Sequence, residues 1–184
     1  MKTIILLLFS INLIAQCPVE GKAKNAKEAA ANKLKNRDIV KGVIIDSITL
    51  GKILSPGEDS HRFSQNSYVK ITGFLVEVKP GGQESCNCEE KLDTLTDTHI
   101  YIGQSPNAEK SDCMIVEITP RWKKLNKGVY VSLMKGKEVN VCGYLFYDEE
   151  HKGNAKNTCK VCTNTWRKTV IEIHPVVNIE LTGN

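Results

Sequence analysis

The chain has 184 residues, 41% hydrophobic and 25% charged, which suits one ordinary globular domain with a real core. Lys and Arg number 25 against 21 Asp and Glu, a formal charge of +4. So mild a surplus is not the electrostatic footprint of a dedicated polyanion binder.

Met1 to Ala15 reads as a targeting segment. Lys2 supplies the positive start, and Ile4 to Phe9 with Ile11 to Ile14 form an apolar run well short of the ~20 residues that cross a bilayer. Cleavage after Ala15 leaves Gln16 first. The rival reading is a lipoprotein with Cys17 lipidated, although Gln16 stands where such signals carry a small residue. Both readings export the protein to a periplasmic or extracellular setting, soluble or anchored through Cys17, with no transmembrane helix. Residues 16–67 then form an N-terminal helical extension and linker, and 68–184 a barrel domain.

Lys24 to Arg37 is rich in Ala, Lys and Glu and is predicted helical by propensity. Its apolar stripe, Ala26, Ala30 and Leu34, is thin, so it packs lightly. Ile39 to Ile45 is an aliphatic run that periodicity leaves open between strand and helix. Thr49 to Leu54 predicts a turn or two of helix stopped by Pro56 and Gly57, and Glu58 to Asn66 reads as loop. Tyr68 to Val78 alternates apolar and polar residues across Gly73 and predicts a long strand bent at that glycine. Its phrase VKITGFLV returns at Val139 as VNVCGYLF, within a strand over Lys137 to Asp148. Between these lie predicted strands Thr98 to Ile102 and Cys113 to Thr119, with Ile100, Ile102, Val116 and Ile118 inward and His99, Tyr101 and Glu117 outward. Pro120 to Gly136 is basic and irregular or partly helical. The last strand is Thr169 to Leu181, with Ile171, Ile173, Val177, Ile179 and Leu181 on one side and Glu172, His174, Asn178 and Glu180 on the other.

Three strands, a connector and two more strands resemble the OB-fold, a five-stranded Greek-key barrel, over Tyr68 to Leu181. The fold class expected is therefore mainly β, an OB-fold-like barrel with an N-terminal helical extension. The phrases GGQESCNC from Gly81, DTHI from Asp97, EITPR from Glu117, DEEH from Asp148, and Trp166-Arg167 with EIHP from Glu172 resemble a family of exported, largely uncharacterised bacterial OB-fold proteins sometimes labelled nucleic-acid-binding. That resemblance implies a fold more than a function, since none of these phrases is a catalytic signature.

The OB strand order makes the second, third and fifth strands neighbours about 4.8 Å apart. His99, Glu117, Glu172 and His174 then share one face, with Asp97 just before it. Carboxylates and imidazoles so arranged suit a divalent metal or a general acid and base. The bland alternative is a solvated polar face of little consequence. His151 and Arg167, in the loop before the last strand, are placed to close over this face, and Arg121 or Arg167 suits a phosphate or carboxylate through its fork of donors. Trp166 is the best stacking candidate among Phe74, Tyr101, Tyr144, Phe146, Tyr147 and Trp166, unless it plugs the barrel end.

Seven cysteines in an exported chain favour disulfides, with Cys17 the odd one out. Cys86, Cys88, Cys159 and Cys162 fall in two loops that flank the ligand face of an OB-fold. They allow loop-to-loop disulfides, a four-thiolate zinc site or redox thiols; C-x-C is a poor self-pairing spacing whose bridge reaches elsewhere, whereas C-x-x-C can close on itself. Cys113 and Cys142 lie on strands as small semi-buried residues or a mutual bridge. No cofactor is firmly implied beyond this zinc. Three functions follow as expectations: a module binding single-stranded nucleic acid or a small anionic ligand, a metal-dependent phosphodiesterase-like hydrolase using the His/Glu/Asp set, or a non-catalytic structural envelope protein.

Overall fold

The computed structural model describes residues 17–38 and 43–183, so the targeting segment and the first four residues of the Ile39–Ile45 run lie outside the described residues. Five strands close into a barrel: β1 (Tyr68–Pro80), β2 (Thr98–Gly103), β3 (Met114–Ile118), β4 (Glu138–Tyr147) and β5 (Ile171–Leu181). Their order around the barrel is β1-β2-β3-β5-β4, the order that the resemblance to an OB-fold implied. Every pairing is antiparallel except β3 with β5.

Alternation within each strand fills the interior. Ile71 and Leu75, Ile100 and Ile102, Met114, Val116 and Ile118, Val139, Val141 and Leu145, and Ile171 and Ile173 form one core. On β5 the expected parity holds at Ile171, Ile173, Ile179 and Leu181 and fails only between Ile173 and Ile179. Val176 is buried and Val177 only half so. The β4/β5 register slips on both sides of Gly143, whose partner is Val176, and this slip turns Val176 instead of Val177 inward. A Cβ on Gly143 would stand 2.4 Å from both Ile173 Cγ2 and the Pro175 carbonyl, so only glycine lets the strands approach there. On β1 the irregularity lies between Leu75 and Glu77, not at Gly73. Gly73 matters for space, because a Cβ there would stand 2.5 Å from Leu50 Cδ2.

Three short helices surround the barrel. In α1 (Ala26–Lys35), Asn25 Oδ1 accepts from the Glu28 amide at 2.9 Å, and a Glu28 carboxylate oxygen accepts from the Lys24 amide at 2.8 Å. That reciprocal cap stabilises the first turn. α2 (Leu50–Leu54), capped by Thr49, inserts Leu50, Ile53 and Leu54 into the barrel core. α3 (Pro120–Leu125) starts on the Thr119 hydroxyl with Pro120 in the first turn, where a missing N–H costs nothing. Its Trp122 is buried and donates to the Val177 carbonyl at 3.0 Å. Among the described residues no helix is long and apolar enough to cross a membrane.

The segment expected to be a loop, 58–66, holds a structural anchor. Asp59 is fully buried. Its Oδ2 accepts from the Thr169 hydroxyl at 2.8 Å and the Val170 amide at 2.9 Å, and its Oδ1 accepts from Arg62 at 2.9 Å and Asn157 at 3.1 Å.

The cysteine pairs follow their spacings, C-x-x-C closing on itself and C-x-C bridging elsewhere, but Cys17 is not left single. Cys17 is bonded to Cys88, and Cys159 to Cys162. Cys17 is therefore not the odd thiol, and its sulfur cannot also carry a lipid. Cys86, Cys113 and Cys142 are free, so no bridge joins Cys113 to Cys142. Three of the four sulfurs expected at a thiolate zinc site are tied in two separate disulfides, which leaves Cys86 alone.

Candidate metal centre

The outer face of β2, β3 and β5 is not a solvated surface. His99 on β2 stands opposite Glu117 on β3, and the parallel β3/β5 register sets Ile115 beside Glu172 and Val116 beside Ile173. Glu117 thereby lies between His99 and His174. Over this face the chain lays its own N-terminal segment and the 3-10 turn Ser85–Asn87. Ser85 donates to Asn32 Oδ1 at 3.1 Å, Asn36 Nδ2 donates to the Cys86 carbonyl at 3.0 Å, and Lys35 of α1 pairs with Glu84. The thin apolar stripe of α1 is offset by these polar contacts. Its outer residues remain exposed, while Asn32 is buried beneath it.

The result is a covered polar cluster. Asp97, Glu117, Glu172 and His174 are at most 2% exposed, while the His99 and Glu84 side chains keep 13% and 23%. Glu117 Oε1 lies 3.1 Å from His99 Nε2, and its Oε2 lies 3.0 Å from His174 Nδ1. His99 Nε2 is 3.8 Å from Glu84 Oε1, and His174 Nε2 is 3.6 Å from Asp97 Oδ2. All five sequence candidates, Asp97, His99, Glu117, Glu172 and His174, thus meet in one place.

The rim fixes one oxygen of most carboxylates and leaves the other free. Asn87 donates to Asp97 Oδ2 at 2.8 Å, Arg167 to Glu172 Oε1 at 2.7 Å, and Lys35 holds Glu84 Oε2. Asp97 Oδ1, Glu117 Oε2, Glu172 Oε2, His99 Nε2 and both nitrogens of His174 are buried without a hydrogen-bond partner. Such groups cost roughly 1–3 kcal/mol each unless something else satisfies them. The short nitrogen–oxygen approaches lack hydrogen-bond geometry. Three sets have ligand atoms within 4.8 Å of one another: Glu84, His99 and Glu117; Asp97, Glu117 and His174; and Glu84, Cys86 and Asp97.

Charge gives the same direction. Glu84, Asp97, Glu117, Asp148 and Glu172 gather here, with Lys35 on Glu84, Arg167 on Asp148 and Glu172, and Lys123 beside Asp97. Burial lowers the pKa of His99 and of His174, but the facing carboxylates, Glu117 first, outweigh it and raise them to about 9 and about 10. Burial also acts on Glu117, yet the two imidazoles hold it down at about 2. Asp97, with less compensation, is pushed up by burial to about 6, and Glu172 is raised by burial and by Glu117. The field at both imidazoles favours a positive charge, which a proton or a metal ion can supply. Burial raises the Cys86 thiol, a weak donor toward Glu84 and Asp97, far above its usual range.

The ligand-binding candidates divide. Arg167 is buried and committed, donating to the Thr169 carbonyl at 2.7 Å, Asp148 Oδ2 at 2.9 Å and Glu172. It is a structural cation, buried and with three of its N–H donors committed inside the fold. His151 Nδ1 meets Asp148 Oδ2, and its ring packs edge-on against Trp166 at 5.2 Å. Trp166 is covered by Arg167 and by Lys79, whose Nζ lies 5.0 Å from the ring, so it is no bare stacking platform. Arg121 stands apart from these three and donates to the Asn36 and Arg37 carbonyls and to Asp38, fastening the end of the N-terminal segment. Tyr101, Tyr144 and Phe146 are buried, Phe146 with its edge against His174.

Sequence reasoning missed Glu84 and Lys35. Glu84 lies in the GGQESCNC phrase, beside the cysteines that drew attention, and Lys35 is one of many lysines on a helix read as an outer arm. No local pattern marks either one. Gly81 carries a signal visible only in space: a Cβ there would stand 3.1 Å from His99 Nε2 and 2.9 Å from the Asp97 carbonyl. No protein-family model matches the chain, and no curated protein is detectably similar to it.

Proposed function

We propose that this protein is an exported OB-fold barrel that binds a divalent transition-metal ion, of the zinc type, through Glu84, His99 and Glu117. The observation that carries the reading is His99 Nε2, buried and unbonded 3.1 Å from Glu117 Oε1 and 3.8 Å from Glu84 Oε1. Ligands about 2.1 Å from a common ion stand about 3.4 Å apart in tetrahedral geometry and about 3.0 Å apart in octahedral geometry; the Glu117 contact falls in that range, and Glu84 would move inward on binding. Lys35 on the second oxygen of Glu84 supplies the outer-shell contact that orients a ligating carboxylate. The two disulfides fit the oxidising compartment implied by the leader segment.

A cation suits the surroundings better than nucleic acid or another anion. A cavity of about 490 Å³ between α1 and the barrel is lined by Glu84 and Lys35. Its other charged lining residues are Lys24, Lys27, Glu28, Glu89, Asp148, Glu149 and Glu150, an acidic excess that repels a phosphate backbone. The strand face that an OB-fold offers to single strands is occupied here by the protein's own segment. Three side-chain ligands leave a coordination position for water or substrate, which keeps metal-assisted hydrolysis within reach of this site.

The test is elemental analysis of purified protein, then titration of chelator-treated protein with Zn2+. At least one tightly held equivalent is expected, with affinity falling at least tenfold in His99→Ala. No metal at saturation, or an unchanged affinity in that variant, refutes the reading.

A further inference from the structure

Glu117 presents its two carboxylate oxygens to two different imidazoles, Oε1 to His99 at 3.1 Å and Oε2 to His174 at 3.0 Å. The second oxygen belongs to a set of its own. Asp97, Glu117 and His174 bring one ligand atom each within 4.8 Å of one another, on a different strand pair from Glu84 and His99. Every member of this inner set is at most 2% exposed. Asp97 Oδ1, Glu117 Oε2 and both His174 nitrogens have no hydrogen-bond partner. Asn87 donates to Asp97 Oδ2, the same oxygen that lies 3.6 Å from His174 Nε2, and so fixes this carboxylate beside the imidazole. A carboxylate that bridges through both oxygens spans two ions about 3.5–4 Å apart, the separation of paired metal sites.

Resting on the metal-binding reading above, we infer that the cluster is a two-ion centre. One divalent ion is held by Glu84, His99 and Glu117, and a second by Asp97, Glu117 and His174, with Glu117 as the bridge. Charge leaves room for cations here, since Glu84, Asp97, Glu117 and Glu172 outnumber Lys35 and Arg167, which pair with Glu84 and Glu172. The ligand chemistry, two imidazoles with carboxylates and no thiolate, suits Zn2+, Mn2+ or Fe2+ over a soft ion.

The experiment titrates chelator-treated full chain with Mn2+ and with Zn2+, reading stoichiometry by elemental analysis and the Mn2+ spin resonance at saturation. Two equivalents per chain and an exchange-coupled Mn2+ signal are expected. His174→Ala and the isosteric Asp97→Asn should each reduce the count to one and abolish the coupling, and His99→Ala should leave one, in the inner position. Glu117→Gln should remove the coupling and weaken both sites. One equivalent in the parent chain, uncoupled and unchanged in Asp97→Asn, overturns the second ion while leaving the single-ion reading intact. Zero equivalents overturns both. Should His174→Ala fail to fold, the parent stoichiometry and the Asp97→Asn count still decide.

Discussion

Replacing Arg167 by Met keeps most of the stem volume and deletes a guanidinium that is 1% exposed. Three donations disappear, at 2.7 Å to the Thr169 carbonyl, 2.9 Å to Asp148 and 2.7 Å to Glu172. Removing one partner from a buried ion pair costs about 3–5 kcal/mol, because the remaining charge stays desolvated. Here two carboxylates are stranded, so the upper part of that range is expected, and the midpoint of thermal unfolding should fall by about 6–20 °C. The pH dependence separates this cause from lost packing. Asp148 is held far below the ordinary carboxylate range: burial opposes ionisation, but His151 and Arg167 outweigh it. A depressed carboxylate contributes stability that is present above its unfolded value near 4 and is lost as pH falls toward the folded value. Without Arg167 much of that contribution disappears. The gap between parent and variant should therefore be widest near pH 7 and narrow below about pH 5. Urea unfolding of chelator-treated, disulfide-intact protein at pH 7, 5.5 and 4 measures it. A loss below about 1 kcal/mol at pH 7, or a gap that widens in acid, would refute the assignment of Arg167 as a charge-compensating residue.

Cys17→Ser opens a loop of sequence separation 71 and should cost about 4 kcal/mol by the chain-entropy relation; non-reducing peptide mapping of the parent must show Cys17 joined to Cys88. Asp59→Ala leaves Thr169, Val170, Arg62 and Asn157 without their acceptor and should cost about 3 kcal/mol, read by thermal unfolding; a change below about 1 kcal/mol would mean water replaces the carboxylate. Gly81→Ala pushes a methyl toward His99 Nε2 and should weaken Zn2+ binding at least tenfold, at a stability cost of about 1–3 kcal/mol; unchanged binding would place the ion away from His99.

The barrel was legible because its causes are local. Alternation in VKITGFLV, THIYI and CMIVEIT specifies which side of each ribbon is buried, and burial of that side leaves few ways to order five strands. The parity of His99, Glu117, Glu172 and His174 followed from the same period, and the strand order implied by the resemblance to an OB-fold put them on a common face. The parity of Val176 was not readable, because the slip opposite Gly143 depends on how two distant strands fit.

What the chain's linear pattern determined is a five-stranded barrel with imidazoles and carboxylates on one outer face. Only the tertiary structure decided that this face is roofed by α1 and the Ser85–Asn87 turn, and that Arg167 is spent on Asp148 and Glu172. It alone also decided that Cys17 joins Cys88. The physical reason is range. Side-chain period is a property of neighbours within a strand, whereas desolvation and charge compensation depend on segments tens of residues away, whose approach no local pattern encodes.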